Sequence, residues 1–137
     1  MPIFQTKTLT ISIDAPFTKV ATDLANPSTH PEWATEFFSG TAKKMSNGEV
    51  LVTVPMMGGS VRYKIEADLE SGVLDLFLSP EGADFGAPLP VRLIKNGDGV
   101  DVLWTLTRFP GVADSAWEHG VVSMKKELLA LKARHEK

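Results

Sequence analysis

Residues 110–137 constrain the fold more than any other stretch. Trp117, Val121, Met124, Leu128 and Leu131 recur at steps of four, three, four and three, which puts all five on one face of a helix. Glu118, Lys125, Lys126, Glu127 and Lys132 are expected over most of the remaining surface. Ser115 with Glu118 three positions on fits a capping box, and Pro110-Gly111 separates the helix from what precedes it. Lys132, Arg134 and His135 give the last turn the charge that the helix dipole favours there. The pattern therefore predicts one long amphipathic helix whose apolar stripe must be buried against another surface.

The residues before it read as the sheet that supplies that surface. Over residues 3–14, Leu9, Ile11 and Ile13 alternate with Thr8, Thr10 and Ser12, a half-buried strand that stops at Asp14-Ala15-Pro16. Val20, Ala21 and Leu24 mark a short helix ended by Asn26-Pro27. Ser28 or Thr29 is expected to cap a second short helix running through Trp33, Phe37 and Phe38 to Ser39-Gly40.

From Thr41 to Phe109, alternating stretches are separated by the turn dipeptides Asn47-Gly48, Gly58-Gly59, Ser71-Gly72 and Gly97-Asp98. Tight turns fix register, and opposed residues share a face. The expected pairs are Met56 with Val61, Val54 with Tyr63 and Val52 with Ile65 across the second turn. Across the third they are Leu69 with Leu74, Ala67 with Leu76 and Ile65 with Leu78, and across the fourth Leu93 with Val102 and Val91 with Trp104. Apolar falls opposite apolar in all three, which predicts an antiparallel meander with one wet face, where Asp68 is expected opposite Asp75. The first hairpin fits less well. Met45 faces inward opposite Val50, but Lys43 then opposes Val52, so either a bulge shifts the register or Lys43 lies at the rim. Residues 80–90 are the one long connection.

Bulk properties exclude several functions. A chain of 137 residues with 43% apolar and 23% charged residues is expected to be one globular domain, 1–137. Its net charge of -3 lacks the basic footprint of a nucleic-acid or anionic-membrane binder. No cysteine is present, which excludes disulfides, thiolate catalysis and cysteine-bound metal. With no signal peptide and no apolar run long enough to span a bilayer, the chain reads as cytoplasmic. No metal-ligand spacing, phosphate loop or nucleophile elbow occurs, so no cofactor is implied.

Strand, two short helices, six-strand meander and long final helix make an α+β chain. The opening Ile11-Ser-Ile-Asp-Ala-Pro16, then Val20, Leu24, Asn26-Pro27 and Trp33, together with the close Trp104-Thr-Leu-Thr-Arg108 and Gly111, resembles the helix-grip fold of the START/Bet v 1-like superfamily. The likeness is to its bacterial polyketide cyclase/dehydrase-like members in particular, and it spans essentially the whole chain. It implies a curved antiparallel sheet of about seven strands around the long C-terminal helix, with a mostly apolar cavity between them. Val54, Met56, Tyr63, Leu76 and Trp104 would face that cavity from the sheet. Trp117, Val121 and Met124 would face it from the long helix, and Trp33 and Phe37 from the short ones.

Other candidates carry two readings each. Phe85, between Gly82 and Gly86, either caps the cavity as a lid or tucks into the core edge. Arg108, in phase with Val102 and Trp104, either meets an anionic ligand group or pairs with Asp114 or Glu118, the latter favoured. Tyr63 either orients a ligand carbonyl or is a hydrogen-bonded core residue. His30 is suited to general-base work but reads first as a surface residue in a helix's first turn. His119 lies off the buried stripe and His135 at the frayed end. Gly120 in mid-helix leaves room for a ligand or for close helix packing.

The leading expectation is a binding protein for a small hydrophobic molecule, lipid- or polyketide-like. The alternatives are a polyketide cyclase/dehydrase-like enzyme and a chaperone-cofactor-like interaction domain. Leu51, Phe77, Ile94 and Leu103 on the wet face would serve that last role, or a homodimer.

Overall fold

The structure, a computed structural model, describes residues 3–137. β1 (Thr6–Ile13) is followed by α1 (Phe17–Leu24) and a 3-10 helix, Pro27–Glu32. A meander follows: β2 (Ser39–Lys44), β3 (Val50–Val54), β4 (Gly59–Asp68), β5 (Val73–Pro80), β6 (Leu89–Asn96) and β7 (Gly99–Thr107). The long helix α2, Asp114–His135, comes last. All pairings are antiparallel in the order β1-β7-β6-β5-β4-β3-β2, so β1 returns to pair with β7 and β2 forms the far edge. This is the expected α+β helix-grip arrangement of a seven-stranded sheet and a long C-terminal helix.

The last hairpin has the expected register, with Leu93 opposite Val102 and Val91 opposite Trp104. Two others slip by an even number of residues, which keeps every side chain on its expected face. Ile65 faces Leu76 and Ala67 faces Leu74, because Leu69–Gly72 form a wider turn in which the Asp68 carboxylate accepts the Glu70 and Ser71 N–H groups. Val52 faces Val61 and Val50 faces Tyr63, because Pro55–Met57 coil into a 3-10 turn ended by Gly58 at φ 89°. Met56 therefore sits in a turn rather than opposite Val61. The like-charge pair on the outer face is Glu66 with Asp75, and Asp68 faces Val73. In the first hairpin a register shift between Ser39 and Lys43 places Lys43 opposite Leu51, and both Lys43 and Met45 are exposed.

The second short helix differs from expectation. Asn26 caps it, its Oδ1 accepting the Ser28 N–H, and it ends at Glu32. Pro31 lacks the N–H that would close an α-helical bond back to Pro27, which fits a short 3-10 segment, and Trp33–Phe38 continue as turns. α2 starts at Asp114 with Ala113 in the cap position and no side-chain cap, so the Ser115–Glu118 box does not form. Met124, Leu128 and Leu131 are buried as the stripe predicts, whereas Trp117 and Val121 are half-buried. Glu127 and His135, expected at the surface and at a frayed end, are both buried.

The C-terminal half of α2 is fastened by polar contacts. Asp23 of α1 accepts bonds from Arg134 Nε and Nη2 and from His135 Nε2, while Arg134 Nη1 donates to Glu32. Lys132 Nζ donates to the Ser12 carbonyl, and Glu136 accepts the Asp14 N–H. Beneath these bonds, Ile13, Val20, Leu24 and Leu131 pack almost without exposure. The N-terminal half of the helix, by contrast, spans an open space.

Candidate functional site

That space is a cavity of about 250 Å³ between the inner face of the sheet and the first half of α2. At about 30 Å³ per water-sized group, it has room for roughly eight of them. β4 contributes Tyr63, β5 Leu76 and Leu78, β6 Leu89, and β7 Trp104, Leu106 and Thr107. The segment from His30 to Phe38 forms one wall, and α2 forms the roof with Ala116, Trp117, Gly120, Met124 and Glu127. Exposed Met56 and His119 also line it, which places its mouth at their end. Trp33 and Trp104 meet edge to face, ring centres 5.8 Å apart, and make the deep wall largely aromatic.

One polar pair is set into that wall. His30 Nε2 lies 2.8 Å from the Leu24 carbonyl, and Nδ1 lies 2.8 Å from the Tyr63 hydroxyl. A carbonyl can only accept, so Nε2 carries the hydrogen. Burial depresses the His30 pKa to about 4, partly offset by the Leu24 bond, so the ring is neutral near pH 7. Nδ1 is then a bare acceptor and the Tyr63 hydroxyl donates to it. Both residues are 1% exposed, and burial, with the charge of Glu127, raises the Tyr63 pKa well above its usual value. The surface reading of His30 is corrected: Pro27 and the short 3-10 helix turn the imidazole inward, where Leu24 and Tyr63 satisfy both nitrogens.

The second polar group is Glu127, 5% exposed. Its Oε2 accepts the backbone N–H groups of Glu36 at 3.1 Å and Phe37 at 2.9 Å. Burial raises its pKa to about 7 against the pull of those two bonds, and the neighbouring Glu36 pushes the same way. A carboxyl poised near neutrality on an apolar wall can accept or give a proton at physiological pH. Sequence reasoning missed it, although Gly120, Met124, Glu127 and Leu131 follow helical steps of four, three and four. His119 was missed as well. It borders the mouth, with Nε2 3.5 Å from Ser123 Oγ.

Of the residues expected at the site, Trp33, Phe37, Met56, Tyr63, Leu76, Trp104, Trp117 and Met124 line the cavity. Val54 is buried in the core instead, and Val121 packs at the core's edge. Phe85 is no lid. It lies on the outer face against Phe77, ring centres 6.0 Å apart, with the Arg62 guanidinium 4.2 Å over its ring. Arg108 does not reach the cavity. Its guanidinium donates to the Val112 carbonyl, Gln5 Oε1 and Asp114 Oδ1, the local pairing that the sequence favoured. Among the described residues, no group of three His, Asp or Glu side chains is placed to hold a metal ion, and no helix is long and apolar enough to cross a membrane.

No protein-family model and no curated protein matches the sequence. Solved structures do match the fold. A START superfamily protein from Mycobacterium smegmatis superposes with TM-score 0.67 at 12% identity, over 96% of this chain and 97% of that one. The Aha1 dimer from Colwellia psychrerythraea gives TM-score 0.67 at 17% identity, over 96% of each chain. Ara h 8.0201 gives 0.64 at 18% identity, over 95% of this chain and 96% of that one. The chain has the START/Bet v 1-like helix-grip fold, and identities this low carry the fold alone.

Proposed function

We propose that this protein binds a small hydrophobic molecule between the sheet and the N-terminal half of α2. The observation that supports this reading is the cavity of about 250 Å³, walled by Trp33, Leu76, Leu78, Trp104, Trp117 and Met124. Apolar burial at about 25 cal/mol per Å² drives binding in such a space. Native mass spectrometry of the purified protein tests it, followed by titration of the emptied protein with a plain hydrocarbon such as propylbenzene. A bound mass released on denaturation, or saturable hydrocarbon binding, is expected. Absence of both overturns the reading.

A second reading is an enzyme of the polyketide cyclase/dehydrase kind. The observation that favours it is Glu127, whose carboxyl is shifted to about 7 beside the Tyr63–His30 pair. Glu127 would then move the proton, since both His30 nitrogens are already engaged. The interaction-domain and homodimer readings have less behind them. Of the four wet-face apolar residues only Ile94 is exposed, the other three are half-buried, and Phe77 is covered by Phe85.

A further inference from the structure

The hydrogen-bonding capacity left free at Tyr63 and Glu127 is lopsided. Tyr63 commits its only hydrogen to His30 Nδ1, so its oxygen can only accept from anything else. Glu127 turns Oε2 to two backbone N–H groups, and its Oε1 takes no hydrogen bond among the described residues. The buried unpartnered donors of this wall are the indole N–H groups of Trp33 and Trp104, both nitrogens with under 1 Å² of accessible surface, while Thr107, Trp117, His119 and Ser123 carry the other donors of the lining. At Tyr63 and Glu127, what a ligand meets is acceptors.

Glu127 also has no counter-charge. Lys126, the nearest cation on its own helix, lies with Nζ 3.8 Å from Glu36 Oε1 at the surface. Ser123 stands between Glu36 and His119 at 3.5 Å from each. No Lys, Arg or His nitrogen among the described residues pairs with Glu127, and Tyr63, His30 and Glu36 supply no positive charge near pH 7. A carboxylate buried without a cation is costly, and a ligand that brings one removes that cost. The aromatic faces of Trp33, Phe37 and Trp117 on the same wall favour a cation too.

We propose that the ligand is an apolar molecule ending in a hydrogen-bond donor, a protonated amine foremost, held by Glu127 Oε1 with the Tyr63 oxygen as the second acceptor. This rests on the cavity being the binding site, and it names the chemistry of what enters. A carboxylate-ended ligand of equal size meets two acceptors and a like charge. A hydroxyl-ended one gains a neutral hydrogen bond only.

The test is a size-matched panel of phenethylamine, 2-phenylethanol, 3-phenylpropanoate and propylbenzene, titrated by tryptophan fluorescence at about pH 8. The amine is expected to bind tightest, about tenfold better than propylbenzene, and the carboxylate weakest. Glu127→Gln keeps an acceptor for the Glu36 and Phe37 N–H groups and abolishes the amine's advantage over propylbenzene measured on the same variant. With the unaltered protein, the same advantage should shrink as the pH is lowered from about 8 to about 6 and Glu127 takes up a proton. If propylbenzene binds and the amine does no better, or its advantage ignores both pH and Glu127→Gln, the ligand class is wrong and the cavity reading stands. If none of the four binds, the cavity reading fails and this proposal with it.

Discussion

Arg134 grips Asp23 at two points, with Nε 2.8 Å from Oδ2 and Nη2 3.1 Å from Oδ1. His135 Nε2 adds a third bond to Oδ2 at 2.8 Å. One carboxylate thus ties the last turn of α2 to α1, and these bonds to the partly buried Arg134 hold its pKa low although burial pushes it up. Asp23→Ala leaves the Arg134 and His135 donors without their acceptor. A loss of about 2 kcal/mol is expected in urea unfolding, short of the full cost of a broken buried pair because Arg134 stays partly exposed. Arg134→Ala should cost less, and the two substitutions together less than their sum. Strict additivity would mean that the clasp contributes nothing.

His30 and Glu127 should pull the pH dependence of stability in opposite directions. His30 is held at about 4 from an ordinary 6.5, so its contribution is complete above pH 6.5 and is lost as the pH falls toward 4. Glu127 is raised from 4.5 to about 7, so its contribution is complete below pH 4.5 and is lost as the pH rises through 7. Each displacement amounts to about 3 kcal/mol, and between pH 4.5 and 6.5 the two slopes largely cancel. Glu127→Gln should raise stability near pH 8 by about 2 kcal/mol and uncover the acid-side decline of His30. Chemical denaturation at several pH values reads both effects. A Gln variant less stable than the parent at pH 8 would contradict the burial of an unpaired carboxylate.

Gly72 sits at φ 75°, where an added Cβ would overlap the Leu93 carbonyl oxygen and touch the Phe17 ring. The same residues already share a bond, Leu93 N–H to the Gly72 carbonyl at 2.8 Å. Gly72→Ala therefore combines left-handed strain with a backbone clash and should cost about 3 kcal/mol. Gly97, at φ 57° with open space around it, isolates the strain, and Gly97→Ala should cost about 1 kcal/mol. Equal losses in thermal unfolding would show that the close approach to Leu93 does not matter.

The sequence carries the fold because alternation and helical spacing survive small errors. Two hairpins slip by an even step, and neither slip moves a residue such as Tyr63 or Leu76 off its face. It carries the polar wall poorly. Glu127 and His135 share the arc of Leu131, but a charged residue on an amphipathic helix is ordinarily its wet side, and only the turn at Glu36 and Phe37 gives Glu127 its donors. His30 follows the same logic: its partners are Leu24, six residues back, and Tyr63, a strand away. Phe85 misled for another reason, since the cationic side chains of Arg62 and Lys64 draw its ring to the outer face.

Those outward positions make Arg108 and Phe85 sharp controls. Arg108 is the clasp of the β7–α2 connection through Val112 and Asp114. Arg108→Ala should lower stability by about 1 kcal/mol and leave propylbenzene affinity unchanged. Phe85→Ala should do the same, removing contacts with Phe77 and Arg62 on the far side of the sheet from the cavity. A severalfold loss of affinity in either variant would bring these residues back into the site.

Gly120 offers the most direct test of the cavity, because binding and stability should move in opposite directions there. It lies in the wall, and an added Cβ would meet nothing within 4 Å. Mid-helix glycine costs about 1 kcal/mol relative to alanine, so Gly120→Ala should stabilise the protein by that amount and spare binding. Gly120→Leu keeps most of that gain but extends a branched side chain into a space with room for roughly eight water-sized groups. Hydrocarbon affinity should then fall at least tenfold while the melting temperature rises. A variant that is stabilised yet binds as the parent does would place the ligand elsewhere, and one that is destabilised would mean that the space beside Gly120 is already filled.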